Sequence, residues 1–113
     1  MASQPDVTER LTAERAEVAA QAASLQQSFD DVVAGSELVS TDDEHDPEGA
    51  TVAYERAQVS ALLDRAHARL AELDEAMTRL TAGTYGRCEG CGEPIGDARL
   101  EALPAATHCV ACA

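Results

Sequence analysis

Lysine is absent from this chain, tryptophan is absent, and the aromatic side chains are limited to Phe29, Tyr54 and Tyr85. Each shortage removes a class of protein. Clustered cations release counterions from a phosphate backbone, but here eight arginines face twenty-one carboxylates, for a formal net charge of -13. Direct binding to nucleic acid is therefore not expected. Hydrophobic residues make up 45% of the chain, many of them alanine, and such side chains suit narrow helix seams better than a thick core. No run approaches the ~18 apolar residues of a membrane span, so no membrane partner is expected. Residues Met1 to Asp6 lack both the basic start and the apolar stretch of a secretory signal. The expectation is a cytoplasmic protein of one main unit, whose partner is another protein with a basic surface or channel.

What is present is helical periodicity. Asp6 followed by Glu9 has the form of a capping box and predicts a helix start. Leu11, Val18, Leu25 and Val32 then recur every seventh residue, with Ala22 and Phe29 between them and Arg15 as a single interruption. Ala34-Gly35 offers a C-terminal stop, because glycine accepts the left-handed conformation that ends helices. Residues 36–45 are acidic and follow neither period, which reads as a loop or tip. At Asp46-Pro47-Glu48 a second start appears, with Asp as N-cap, Pro where its missing N–H costs nothing, and Glu complementing the helix dipole. Val52, Val59, Ala66, Leu73 and Leu80 again recur every seventh residue, joined by Leu63, Leu70 and Met77, up to Ala82 and Gly83.

Two such helices, at about 6–34 and 46–82, with an acidic tip at 35–45, predict a mostly α protein. Residues 1–82 are expected to form an antiparallel coiled-coil hairpin on the order of 40–50 Å long, followed by a small zinc finger at 83–113. The same heptads would serve a dimer between chains. Stripes of comparable length and a short link favour the hairpin within one chain, and hence a monomer.

The four cysteines fall into two equally spaced pairs, Cys88-x2-Cys91 and Cys109-x2-Cys112, separated by seventeen residues. In a reducing compartment such pairs read as metal ligands before disulfides. Tetrahedral zinc takes four thiolates, and a C-x2-C turn brings two sulfurs to one side of the ion with backbone N–H groups pointing at them. Gly90 and Gly92 give such a knuckle its backbone freedom. Cys88, Cys91, Cys109 and Cys112 are accordingly the expected ligands of one structural Zn²⁺. Four thiolates leave no open position for catalysis, and neither pair follows a strand in the pattern of a thioredoxin-like redox site, so no enzymatic activity is expected. His108, next to Cys109, is expected to point outward, and His45 and His67 to face solvent. Residues 83–113 have few large apolar groups, so zinc, worth roughly 10 kcal/mol or more, is expected to supply their folding energy. Residues 96–101 are expected to form a short helix capped by Asp97 and ended before Pro104.

The stretch Tyr85-Gly86-Arg87-Cys88-Glu89-Gly90-Cys91-Gly92-Glu93-Pro94-Ile95-Gly96, with Arg99-Leu100-Glu101 and Cys109-Val110-Ala111-Cys112, closely resembles the DksA/TraR family of four-cysteine zinc-finger transcription regulators. The resemblance is specific over residues 83–112 and architectural over the hairpin. It implies a regulator that inserts its hairpin into the secondary channel of bacterial RNA polymerase and presents acidic residues near the active centre without touching DNA. Family members carry Asp-x-x-Asp-x-Ala at the tip; here Asp43 and Asp46 keep the spacing while Glu48 replaces the Ala. These three are the expected partner-facing tip residues. With no lysine, the basic cluster that binds guanosine tetraphosphate in some members has no counterpart. A zinc-stabilised coiled-coil adaptor or chaperone-like protein with another partner is the alternative function.

Overall fold

The computed structural model describes residues 4–38 and 47–113. Three helices follow in order: α1 (Gln4–Leu38), α2 (Pro47–Ala82) and α3 (Asp97–Ala102). α1 and α2 form the helical hairpin read from the heptads, and among the described residues there is no strand, only one isolated antiparallel bridge between Arg87 and Pro94. No helix of the described residues is long and apolar enough to cross a membrane.

The helix ends depart from expectation in instructive ways. α1 is already helical at Gln4, so Pro5 and Asp6 sit in its first turn and Asp6 complements the dipole instead of acting as N-cap. Nor does α1 stop at Ala34-Gly35, for it runs on to Leu38. Gly35 does not take a positive φ, and a helical glycine costs only about 1 kcal/mol relative to alanine, too little to end a helix alone. α2 begins at Pro47, and its C-terminus behaves as the sequence suggests. Gly83 adopts φ 79°, its N–H donates to the Leu80 carbonyl at 3.3 Å, and the Thr84 N–H donates to the Arg79 carbonyl at 2.9 Å. This Schellman pair satisfies two of the orphaned carbonyls of the last turn. Asp43 and Asp46, expected at the tip, and His45 lie outside the described residues. Glu48 lies in the first turn of α2.

Two compact units divide the chain. One runs from Val18 to Ala68, and among its described residues the two stripes supply the buried side: Ala22 and Ala66 are buried, while Val18, Leu25, Phe29, Val32, Val52, Val59 and Leu63 are half-buried. A two-helix seam covers one side of each knob only, which is why these side chains stop at half burial. Tyr54 and Leu62 face solvent. The other unit joins α1 up to Glu17 with Arg69–Ala113. Here Leu11, Leu73 and Ala76 are fully buried and Val7 nearly so. Arg15, the interruption in the first stripe, reaches across to Asp74, with Nε 2.5 Å from Oδ1, and Arg69 pairs with Glu14 and with Glu72. The Arg15 guanidinium holds the Asp74 carboxyl below the usual carboxylate range.

Candidate metal centre

The finger starts from the Schellman turn. Beyond it the chain folds into a tight antiparallel loop: the Ile95 N–H donates to the Gly86 carbonyl at 2.8 Å and the Cys88 N–H to the Glu93 carbonyl at 2.8 Å. The first knuckle lies in this loop, closed by the Gly92 N–H on the Cys88 carbonyl at 2.9 Å. Gly92 takes φ 77°, the conformation for which a glycine is needed at this turn. Gly90 matters for another reason than the one expected. Its φ is ordinary, but a Cβ there would stand 3.2 Å from both Cβ and Sγ of Cys112 and 3.3 Å from the His108 ring. Gly90 is favoured by close approach, because the second knuckle lies against it and would have to yield by a few tenths of an ångström to admit a side chain.

α3 bridges the knuckles. Its cap is Gly96 at φ 105°, not Asp97, which is the first helical residue. The Gly96 carbonyl accepts the Leu100 N–H at 3.1 Å. Beyond α3, Pro104 and Ala105 are buried, the Glu89 N–H donates to the Thr107 carbonyl at 2.8 Å, and the Cys112 N–H closes the second knuckle on the Cys109 carbonyl at 3.0 Å. Long side chains fasten the finger, two of them, Arg79 and Arg10, from the long helices of the same unit. The Tyr85 hydroxyl donates to the Pro104 carbonyl at 2.8 Å, Arg79 donates to the Ala105 carbonyl at 3.4 Å, and Arg10 donates to the Glu101 carbonyl at 2.7 Å. Burial raises the Tyr85 phenol above its ordinary value.

All four cysteines converge, and no disulfide joins them. Their sulfurs lie within 4.8 Å of one another. Four thiolates at about 2.3 Å from a tetrahedral zinc stand about 3.8 Å apart, and the Cys91 and Cys109 sulfurs are separated by 3.8 Å. The donor set and its spacing fit one zinc ion. The four differ in surroundings: Cys88 is buried, Cys109 half-buried, and Cys91 and Cys112 exposed. Cys88 accepts N–H donors from Gly90 and Cys109, each at 3.3 Å. Hydrogen bonds from backbone N–H groups, that of Cys109 foremost, lower its thiol to about 6. The Cys112 thiol is pushed up to about 12, chiefly by its hydrogen bond with Cys109 and then by Cys88 and Cys91.

His108 is half-buried; its Nδ1 shares a 2.8 Å hydrogen bond with the Thr107 hydroxyl, and it is not one of the four converging residues. His67 is exposed, as expected. Beside the finger an open groove of 660 Å³ carries Glu72, Glu75 and Glu89 on its wall. The sequence pattern missed Arg99, whose Nε donates to the His108 carbonyl at 2.7 Å. Bonds from side chains to backbone carbonyls leave no spacing signature.

The family model for prokaryotic dksA/traR C4-type zinc fingers matches residues 83–113. Among curated proteins, the RNA polymerase-binding transcription factor DksA of Caulobacter vibrioides is 51% identical over 47 residues, covering 42% of this chain and 33% of that protein. The uncharacterized protein YteA of Bacillus subtilis is 40% identical over 65 residues, 58% of this chain and 27% of that protein. The aligned stretch thus spans a third or less of each of these curated relatives. The solved structure of transcription factor DksA2 from Pseudomonas aeruginosa superposes with a TM-score of 0.82 at 31% identity, over 96% of this chain and 78% of that one.

Proposed function

Because the chain belongs to the DksA/TraR family of C4-type zinc-finger proteins, we propose that it is a cytoplasmic, non-enzymatic regulator of transcription that acts by binding bacterial RNA polymerase. Its partner is a protein and not DNA, because a chain of net charge -13 is repelled by a phosphate backbone. The same charge favours a basic channel, into which the hairpin enters with its tip leading. Cys88, Cys91, Cys109 and Cys112 ligate one structural zinc that orders the finger. Asp43, Asp46 and Glu48 are the partner-facing carboxylates, which in the polymerase secondary channel act on catalytic Mg²⁺ or on the loops that move around it. The protein works as a monomer.

The observation that carries this reading is the four-sulfur cluster at the base of an acidic two-helix hairpin, in a chain that aligns over nearly its whole length with a DksA2 structure. Purified zinc-loaded protein is expected to retain core RNA polymerase in a pull-down at low salt and to lose it as salt rises. Asp43→Asn combined with Asp46→Asn is expected to abolish the effect on initiation while leaving retention largely intact, since Asn and Asp serve about equally well before a helix. Failure to retain any polymerase subunit at low salt would remove the central support. Unchanged regulation by the double variant would move the acting residues elsewhere.

A further inference from the structure

The geometry points to Arg99 as a positioning residue for the zinc centre, acting on the Cys88 sulfur through the single peptide group that joins His108 to Cys109. The Arg99 Nε–H donates to the His108 carbonyl oxygen at 2.7 Å, and the N–H on the other side of that same peptide group, that of Cys109, donates to Cys88 Sγ at 3.3 Å. A peptide group is a rigid plane, so fixing its oxygen fixes the direction of its N–H. It is also polarisable: a cationic donor on the carbonyl strengthens the N–H as a donor in turn, and hydrogen bonds in such a chain reinforce one another. The guanidinium thus does two things at once. It aims the Cys109 amide at the most deeply buried of the four sulfurs, and it delivers positive character to a thiolate it never touches.

The surroundings hold Arg99 in place for this task. It stands on α3, whose start is set by the Gly96 cap and whose last carbonyls are held by Arg10, at 2.7 Å on Glu101 and 3.5 Å on Leu100. The backbone carbonyl of Arg99 itself accepts the Leu103 N–H at 2.7 Å. The peptide group before the one that Arg99 holds is pinned as well, by the Glu89 N–H on the Thr107 carbonyl at 2.8 Å. The approach to the second knuckle is therefore fixed at successive carbonyls, one by the first knuckle and one by the arginine. Partners of metal ligands that orient them in this way change metal affinity roughly 10–100-fold when removed.

This inference rests on the four-thiolate reading above, and its test separates the two. Zinc affinity is measured by competition with a chromophoric chelator for the full chain and for Arg99→Met and Arg99→Lys. Met keeps the apolar stem and removes every donor, whereas Lys restores one N–H donor to the carbonyl. Zinc affinity of Arg99→Met is expected to fall by roughly 10–100-fold, with most of it recovered in Arg99→Lys. In ¹⁵N-labelled, zinc-loaded protein the Cys109 amide proton is expected to shift upfield in Arg99→Met and return in Arg99→Lys. A purely structural arginine would not produce that signature. Equal affinities for the Met and Lys variants, loss of zinc from both, or an unmoved Cys109 amide would overturn the inference. A wild-type chain that takes up no zinc would overturn the four-thiolate reading and this inference with it.

Discussion

Removing zinc is expected to dissolve the finger and to leave the unit Val18–Ala68 helical. Within residues 84–113 the buried apolar side chains are Cys88, Ile95, Pro104 and Ala105. Burying Ile95 contributes about 2–3 kcal/mol and Ala105 less than ~1 kcal/mol, whereas a structural zinc contributes on the order of 10 kcal/mol or more. The metal is thus the larger stabilising term by severalfold, and the loop hydrogen bonds cannot persist without it. Amide hydrogen exchange read by mass spectrometry on zinc-loaded and chelator-treated protein gives the check. The amides of Cys88, Glu89, Gly92, Ile95 and Cys112, all donors in the finger's loops, are expected to lose roughly three orders of magnitude or more of protection. Amides of the Val18–Ala68 unit are expected to keep theirs, since that unit contains none of the four cysteines. Cys88→Ser is expected to reproduce the chelated state, because its sulfur is buried and accepts two backbone donors; Cys112→Ser, at an exposed sulfur, is expected to be milder. Undiminished protection at Cys88 and Ile95 in protein shown by elemental analysis to be metal-free would refute the reasoning.

Zinc uptake at neutral pH is expected to release at least two protons, because the metal-free finger is unfolded and its cysteines, largely protonated thiols there, must bind the metal as thiolates. Affinity should therefore climb with a slope of two or more log units per pH unit between about pH 6 and 8; calorimetry in buffers of different ionisation enthalpy reads the proton count directly, and a value below one would contradict the cluster. Gly35→Ala is expected to raise stability by about 0.5–1 kcal/mol, since Gly35 is helical with open space around it, while Gly83→Ala at φ 79° is expected to lower it by about 1 kcal/mol; thermal melts that move both ways in the opposite sense would overturn the two helix-end assignments. Gly90→Ala would put a methyl 3.2 Å from Cys112 Sγ, so zinc affinity is expected to drop severalfold with little change in helix content, and an unaltered affinity would mean that the second knuckle has room to yield.

The parts legible from sequence are those written in a local period or a fixed spacing. Leu11, Ala22, Ala66 and Leu73 were readable as seam residues because a heptad repeats every two turns, and each is buried. Cys88, Cys91, Cys109 and Cys112 were readable together because a two-residue gap sets a knuckle whatever surrounds it. Helix ends were readable only where one signal acted unopposed. Gly83 had no helix former to outvote it, whereas Gly35 had a small cost set against continued hydrogen bonding, and α1 ran through it to Leu38. Asp97 looked like a cap by residue type, but Gly96 takes the cap because φ 105° there is open to glycine and closed to aspartate. Gly90 was picked out for its backbone, yet what it supplies is space, a property of the folded pair of knuckles that neither knuckle carries by itself.

Another part that stayed illegible has a physical form of its own, a long side chain bonded to a distant carbonyl. Arg10 on Glu101, Tyr85 on Pro104, Arg79 on Ala105 and Arg99 on His108 are all of this kind. Every residue offers a carbonyl, so such a bond selects a place in space and leaves the partner's identity free. The consequence is a coupling. The arginines and the tyrosine act only where the finger's backbone stands within reach of them, that backbone is ordered by the metal, and each such bond in turn favours the metal-bound state. In the unit that joins the first turns of α1 to the finger, the grip of Arg10 on α3 is therefore coupled to zinc occupancy, and Arg10 alone cannot hold α3 in place once the four sulfurs have separated.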